Sequence, residues 1–196
     1  IPRVHDATWV QNPIDSFVLA QLEARQLVAS ARARPGHLIR RATLDLLGLP
    51  PTPSQVDRFT RDPSAGAFER VVDRLLANPH YGERWGRNWL DMARYADSNG
   101  CSLEANSTYD NAWRYRDYVI AAFNEDRPFD RFVTEQVAGD LLPAVSDQQR
   151  CRQLIATGFL VLGPKAFGTG SFEQFRLDVW DEQIDTLGKA FLGISL

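Results

Sequence analysis

Apolar residues recur along this chain about every 3.6 positions, and strict alternation of apolar and polar residues is almost absent. Such a period predicts amphipathic helices, each of which buries one apolar stripe against its neighbours. We therefore predict an all-α fold, a single-domain bundle of about eight or nine helices over residues 1–196. The predicted helices begin near residues 13, 38, 52 and 68, and then span 81–98, 110–124, 128–141, 146–162 and 172–192.

Several helix boundaries have explicit sequence signals. Asn12 before Pro13 predicts an N-cap with proline at the first helical position. Capping boxes are predicted where a Ser or Thr precedes a Gln by three residues, at Thr52 and Ser146. Residues 163–171 are rich in glycine and predict a flexible linker. The apolar positions of the first helix are Ile14, Phe17, Val18 and Leu22.

Composition disfavours two classes of function. Net charge is −3, and the 22 basic residues, all arginine except Lys165 and Lys189, are interleaved with 25 acidic residues. Nucleic-acid binding is therefore disfavoured, because it requires a basic patch or stripe. The longest apolar run, 154–164, is shorter than the roughly 20 residues that span a bilayer. The chain opens at Ile1 without a signal-peptide pattern, so we take it to be a piece of a longer polypeptide.

The two cysteines, Cys101 and Cys151, have no metal, haem or disulfide spacing. Cys151 falls on the helical stripe of Leu154, Phe159 and Leu162, so we predict that its side chain is buried. Cys101 lies in a polar loop where exposure is expected. The sequence leaves open whether the two residues form a bridge.

The segment from Glu83 to Tyr118 carries three of the five tryptophans together with arginines and aspartates at helical spacing. Charged side chains are costly to bury unless they pair with one another. One interpretation is a buried ion network that fixes the register of the helices, and we favour it. The other is a polar pocket, whose catalytic candidates are Asp91, Arg94, Asp97 and Arg114.

A calcium site is a further hypothesis. Asp97, Asn99 and Glu104 place hard oxygen donors in the loop that follows the tryptophan helix, as calcium requires. The loop departs from the EF-hand pattern, because its glycine comes too early and Cys101 stands at the fifth position. An ordinary Asn-Gly turn is the simpler interpretation.

No motif in the sequence names a reaction. The three histidines are isolated, and neither a nucleophile elbow nor a phosphate-binding loop is present. The last predicted helix carries an acidic stripe, which we expect to face solvent or to pair with the arginines of the tryptophan helix. This stripe comprises Asp178, Asp181, Glu182 and Asp185.

Six long motifs stand in order along the chain, at residues 12–20, 38–52, 72–85, 89–100, 111–120 and 136–143. They include Trp-Leu-Asp-Met-Ala-Arg-Tyr-Ala-Asp from residue 89 and Gln-Val-Ala-Gly-Asp-Leu-Leu-Pro from residue 136. In content and order these motifs resemble the planctomycete cytochrome-associated domain of unknown function, the second module of large multidomain proteins. The resemblance covers nearly the whole chain.

The resemblance implies which modules accompany this chain and where the protein is located, more than which reaction it catalyses. Proteins of this family typically carry an upstream c-type cytochrome-like module and a downstream uncharacterised domain, which implies a periplasmic or cell-surface location. In relatives the helix that corresponds to residues 181–196 usually continues into a Cys-x-x-Cys-His segment, which this sequence lacks. The resemblance therefore implies no cofactor in this piece, with covalent haem in an adjacent downstream segment.

We thus expect a structural module of a secreted cytochrome-associated protein, which positions a haem segment or another neighbouring domain and is not catalytic by itself. The alternative is an enzyme acting on a carbohydrate-related substrate, with a polar pocket around the four catalytic candidates. Expected partners are neighbouring domains of the same polypeptide, with no nucleic acid and no membrane span. The substrate and the oligomeric state stay open.

Overall fold

The computed structural model describes residues 1–98, 108–163 and 171–194. Within these ranges it contains nine α-helices and no β-strand, so the predicted all-α fold is confirmed. The helices are α1 (Pro13–Ala24), α2 (Pro35–Leu47), α3 (Pro53–Thr60), α4 (Ala67–Leu76), α5 (His80–Met92), α6 (Ala112–Asn124), α7 (Phe129–Ala138), α8 (Asp147–Ala156) and α9 (Phe172–Leu187). Short 3-10 turns follow α7 and α8, and a π-helical turn, Gly188–Leu192, follows α9.

The predicted helix starts are confirmed where a side chain caps the backbone. At α1, Asn12 accepts hydrogen bonds from the first turn and Asp15 reaches back to the Asn12 N–H at 3.1 Å, which completes a capping box. Thr52 and Gln55 form the same arrangement before α3. Ser146 caps α8 by accepting from the third residue of that helix, but the predicted capping box is absent, because Gln149 accepts from the Val145 N–H at 3.0 Å and not from that of Ser146. Each signal is local, and local signals specify helix starts well.

The predicted C-terminus of the tryptophan helix near Ser98 is wrong, because α5 ends several residues earlier. The chain reverses at Arg94, whose φ of 54° lies in the left-handed region. The N–H of Arg94 bonds the Asp91 carbonyl at 3.1 Å, and that of Tyr95 bonds the Leu90 carbonyl at 2.9 Å. This is a Schellman motif, which usually has glycine at the left-handed position. Arginine at that position therefore hides the stop signal.

A small core holds the N-terminal helices together. Ile39 of α2 packs with Val71 and Leu75 of α4, and all three are buried. Val56 and Phe59 of α3 cover this group from the side. The helices α2, α3 and α4 thus form one packed unit, which meets the rest of the domain mainly through contacts between α2 and α5.

A larger, aromatic core lies among α5, α6, α7 and α8. The indole of Trp89 contacts Phe132 and Phe159, with ring centroids 4.9 Å and 5.6 Å away. The most buried large residues of this core are Tyr115, Tyr118, Val119, Phe132 and Phe159. Leu187 and Phe191, from the end of α9 and the turn after it, pack against this core.

The close approach of α5 to α6 depends on glycine. A Cβ placed on Gly82 would overlap the Ile120 carbonyl oxygen and lie 2.7 Å from the Asn124 side chain. Asn124 uses the space, because its Oδ1 accepts from the Gly82 N–H at 2.8 Å and its Nδ2 donates to the Pro79 carbonyl at 3.0 Å. One side chain of α6 therefore joins two backbone groups at the start of α5.

The prediction that Cys151 is buried is wrong, since its side chain is exposed and unbridged. The predicted stripe assumed one helix from residue 146 to residue 162, but α8 gives way to a 3-10 turn at Thr157. A 3-10 turn has three residues per turn, so the stripe changes direction there. Phe159 and Leu162 are consequently buried, whereas Cys151 faces solvent. Cys101 lies outside the described residues.

Two helices keep apolar side chains on the surface. Ile14, Phe17 and Val18 of α1 are all exposed, and Ser16 and Leu19 are the buried residues of that helix. In α9 the exposed apolar residues are Phe172, Leu177, Trp180 and Ile184. Among the residues that the structure describes, no helix combines the length and apolar character needed to cross a bilayer.

Candidate functional site

Arg94, one of the four catalytic candidates, forms an ion pair with the acidic stripe of α9. Its Nη1 lies 2.6 Å from Oε1 of Glu182, and both side chains are largely buried. Gly163 packs against the pair, because a Cβ there would lie 2.8 Å from the Arg94 guanidinium carbon. The carbonyl of Gly163 also accepts from the Tyr109 hydroxyl at 3.3 Å. The expectation that the acidic stripe pairs with an arginine of this segment is confirmed at Glu182.

Arg94 makes this ion pair from a strained backbone position. Left-handed backbone costs a non-glycine residue roughly 1–2 kcal/mol, and φ at Arg94 lies in that region. Nε and Nη2 of Arg94 are buried and have no hydrogen-bond partner within the described part of the chain. These two donors suit a carboxylate or carbonyl oxygen, since the guanidinium is a planar fork.

Asp97 bonds with a neighbouring tyrosine. Its Oδ1 accepts from the Tyr95 hydroxyl at 2.8 Å, and its backbone carbonyl accepts from the Tyr109 N–H at 2.8 Å. Burial, followed by the hydrogen bond to Asp97, raises the pKa of Tyr95 to about 12. Arg116 of α6, a residue that sequence reasoning missed, lies near enough for its charge to act on Tyr95 and Asp97, and it binds Asp117 at 3.0 Å.

The remaining catalytic candidates, Asp91 and Arg114, are exposed. Arg114 lies over the ring of Trp113 at 4.8 Å and donates to Asn111 at 3.0 Å. Among the described residues, no side-chain hydrogen bond or ion pair joins any two of the four catalytic candidates. A shared catalytic pocket of these four residues stays a prediction.

Most residues of the predicted calcium site lie outside the described ranges. Asn99 and Glu104 fall in residues 99–107, and of the three donors only Asp97 is described. Within residues 1–98, 108–163 and 171–194, no group of three or more His, Cys, Asp or Glu side chains could hold a metal ion. The calcium site also stays a prediction.

A buried ion network joins α6 to α7, at a place that the sequence did not indicate. Glu135 is 2% exposed and accepts from Arg127 Nη1 at 2.6 Å, from Arg131 Nε at 3.0 Å and from the Tyr118 hydroxyl at 3.0 Å. Arg127 is also nearly buried, and its Nη2 donates to Glu125 at 2.5 Å. Burial and the charge of Glu135 raise the pKa of Tyr118 above its ordinary value.

A second buried network surrounds the indole of Trp89. Its Nε1 donates to Gln136 at 2.7 Å, and Gln136 also accepts from the Tyr115 hydroxyl at 2.5 Å. Gln136 is fully buried and donates in turn to the Phe132 carbonyl at 3.2 Å. The favoured interpretation of this segment was a buried ion network, whereas the network at Trp89 consists of neutral hydrogen bonds.

A family model matches most of the chain. The model of the family PSCyt2, described as a protein of unknown function (DUF1549), matches residues 13–196. The chain belongs to the PSCyt2 family. No curated protein and no solved structure matches it.

Membership confirms the family part of the sequence resemblance, and the match runs through every helix from α1 to α9. The buried networks of this PSCyt2 domain had only one sequence signal, the spacing of Arg131 and Glu135 by four residues. Arg127 and Tyr118 reach Glu135 only through tertiary packing. In both networks the buried side chains hydrogen-bond mainly with one another.

Proposed function

We propose that this PSCyt2 domain is a non-catalytic helical module that docks a neighbouring segment of the same polypeptide on the apolar face of α9. The observation that carries the proposal is a single apolar stripe along α9, buried at one end and uncovered at the other. At the C-terminal end Leu187 and Phe191 pack into the larger core. Towards the N-terminal end Leu177, Trp180 and Ile184 are 49%, 49% and 53% exposed.

The apolar stripe of α9 continues from the core onto the surface, which supports a bound segment that covers its exposed part. A segment lying on the exposed residues would extend a packed interface that Leu187 has already begun. The ion pair between Arg94 and Glu182 fixes the opposite side of the helix, so the exposed stripe keeps a defined direction. Arg176 lies 4.8 Å over the ring of Trp180, which orders that ring at the centre of the stripe. Tryptophan and arginine are the residues that contribute most at protein interfaces.

The use of charge inside the domain supports a structural role. Arg94 and Asp97, two of the catalytic candidates, bond with Glu182 and Tyr95. The strongest charge cluster, around Glu135, is buried and internally bonded. A general acid or base must instead reach a substrate within hydrogen-bond distance.

The parts of the proposal that concern haem and cellular location rest on the family resemblance. The sequence contains no Cys-x-x-Cys-His run, so the residues present do not fit covalent haem attachment. In our proposal the haem belongs to the neighbouring segment, and this domain positions it. The whole protein would then be a multidomain planctomycete protein of the periplasm or cell surface.

The proposal is tested by hydrogen exchange on this domain alone and on the longer polypeptide that contains its neighbours. We expect slower exchange of α9 in the longer polypeptide, because a docked segment protects the helix that it covers. Trp180→Gln with Ile184→Gln should abolish that extra protection, since both side chains are half exposed and belong to the stripe. Phe17→Gln with Val18→Gln, on the exposed face of α1, is the matched control and should leave it intact.

Two results would overturn the proposal. One is identical exchange of α9 in both proteins. The other is protection that rises with protein concentration in the isolated domain, which would assign the stripe to a second copy of the chain. Absence of haem absorbance in the mature longer polypeptide would remove the haem-positioning part alone.

A further inference from the structure

A small open cavity lies where α5, α6 and α7 meet, away from the α9 stripe. Its volume is about 190 Å³, and five aromatic rings form most of its wall, those of Tyr81, Trp89, Phe123, Phe129 and Phe132. Asp126 and Arg127 supply the charged groups of the lining. Neither the family match nor the docking proposal uses this cavity.

The rings are arranged as a corner rather than as a stack. Trp89 and Phe129 have their centroids 6.4 Å apart and their planes at 84°. Phe132 lies 4.9 Å from Trp89 with its plane inclined at 65°. Aromatic rings of this kind attract a cation that lies over a ring face within about 6 Å of its centroid.

The indole at the centre of this corner is fixed before any ligand arrives. Trp89 donates to Gln136 at 2.7 Å, and Phe159 stacks on it at 5.6 Å. Its orientation is therefore set by the core, whereas Phe129 at the rim is 66% exposed. Preorganised groups lose little entropy on binding, which increases affinity for a small ligand.

The positive charge of Arg127 is already neutralised. Its two terminal nitrogens bond Glu125 at 2.5 Å and Glu135 at 2.6 Å. Asp126 differs, because its carboxylate makes no hydrogen bond or ion pair with any other described residue. Asp126 is therefore the charged residue of the lining that has no ion-pair partner among the described residues.

The backbone holds Asp126 at this rim. Its φ is 48°, and the N–H groups of Asp126 and Arg127 bond the carbonyls of Phe123 and Ala122 at 3.2 Å and 3.0 Å. This Schellman motif ends α6 and turns the chain past the cavity. Asp and Asn tolerate left-handed backbone, so the carboxylate can be replaced by an amide there without new strain.

We propose that this cavity binds a small organic cation, specifically an alkylated ammonium group. The aromatic corner of Trp89, Phe129 and Phe132 surrounds the alkyl groups, and the Asp126 carboxylate balances the charge. A tri- or tetra-alkylated ammonium suits the site because its charge is diffuse and weakly hydrated, so little solvation is lost among the rings. An anion would meet the unpaired carboxylate and the negative ring faces.

The test uses choline and its uncharged isostere 3,3-dimethyl-1-butanol as probes at low ionic strength. The two probes share shape and apolar surface, and they differ in the positive charge. Binding is followed by two-dimensional NMR, through the indole N–H resonance of Trp89. We expect a saturable shift with choline and an affinity for the isostere that is about fivefold or more weaker, the difference expected of a cation–π site.

Three variants locate the binding. Asp126→Asn and Phe129→Leu should each weaken choline binding about threefold or more, by removing the carboxylate and one ring face. Both side chains are exposed, so neither change should unfold the domain. Asp73→Asn on α4 removes an exposed carboxylate elsewhere and should leave the affinity unchanged.

Three outcomes would overturn the proposal. Equal affinity for choline and for the isostere would mean an apolar cavity that does not select charge. An equal effect of Asp73→Asn and Asp126→Asn would mean attraction by net charge only. No saturable shift of the Trp89 resonance with choline would mean that the cavity is not a cation site.

Discussion

Replacing Glu135 with glutamine should destabilise the domain far more than removing any of its exposed ion pairs. Glutamine keeps the volume of the side chain but removes the charge that Arg127 faces at 2.6 Å. Both side chains are almost fully buried, with 2% and 6% of their surfaces exposed. Breaking a buried pair from one side costs roughly 3–5 kcal/mol, because the partner charge stays behind without compensation.

The structure places the expected loss near the lower end of that range. Arg127 keeps its second partner, Glu125, which is 46% exposed and therefore well hydrated. The amide of the new side chain can also still accept one hydrogen bond. We expect a loss of about 3 kcal/mol, which for a domain of this size lowers the Tm by roughly 6–12 °C.

Arg131→Gln is the matched control, because it removes another partner of the same carboxylate. Arg131 donates to Glu135 at 3.0 Å, but its side chain is 59% exposed. Exposed pairs contribute about 0–1 kcal/mol, and salt screens that contribution. The control should therefore cost less than about 1 kcal/mol at low salt and still less in 1 M salt.

The assay is urea unfolding followed by tryptophan fluorescence, at low and at high salt. We expect the Glu135→Gln loss to persist in high salt, since a buried pair is shielded little by ions. A loss below about 1 kcal/mol, or one equal to that of Arg131→Gln, would refute the reasoning that burial makes this carboxylate important. A changed m-value would show instead that the unfolding reaction itself had altered.

Three further predictions concern other parts of the domain. Gly82→Ala should destabilise it by about 2 kcal/mol or more in the same urea assay, because the new Cβ overlaps the Ile120 carbonyl oxygen. Gln26→Gly should be neutral or stabilise it by up to about 1 kcal/mol in thermal unfolding, because φ is 57° at that exposed residue. Absorbance titration should show Tyr115 and Tyr118 ionising well above pH 10, since burial raises both pKa values. Their contribution to stability is complete below the unfolded pKa near 10 and is lost as pH rises beyond it, so the Tm should fall in that range.

Helix starts could be predicted from the sequence, but the end of the tryptophan helix could not. A start is specified by one capping side chain, such as Asn12 or Thr52, which acts on the next turn. The ends of α1, α5 and α6 all use left-handed backbone, at Gln26, Arg94 and Asp126. The predicted end of α6 at residue 124 is nevertheless confirmed, whereas Arg94 carries no stop signal of the kind that glycine gives. The predicted end of the tryptophan helix failed for this reason.

The candidate site shows the same division between local and tertiary information. The sequence shows that Arg94 and Glu182 are charged. It does not show that they pair, because only folding brings them together. Arg116 has no signal in the sequence that links it to Asp97, although its charge acts on that residue in the folded domain. The spacing of Arg131 and Glu135 was visible in the sequence. Its importance was not, because burial of Glu135 depends on where Tyr118 and Arg127 lie in space.

The division into two cores has a consequence for how unfolding is observed. None of the five tryptophans lies on α2, α3 or α4, whereas Trp89 stands at the centre of the larger core. Opening of the smaller core would thus leave Trp89 in its surroundings, although the loss of three helices would change far-UV circular dichroism. If the two cores melt separately, the circular dichroism transition comes before the fluorescence transition, and coincident transitions mean that the α2–α5 contact couples both cores into one cooperative unit.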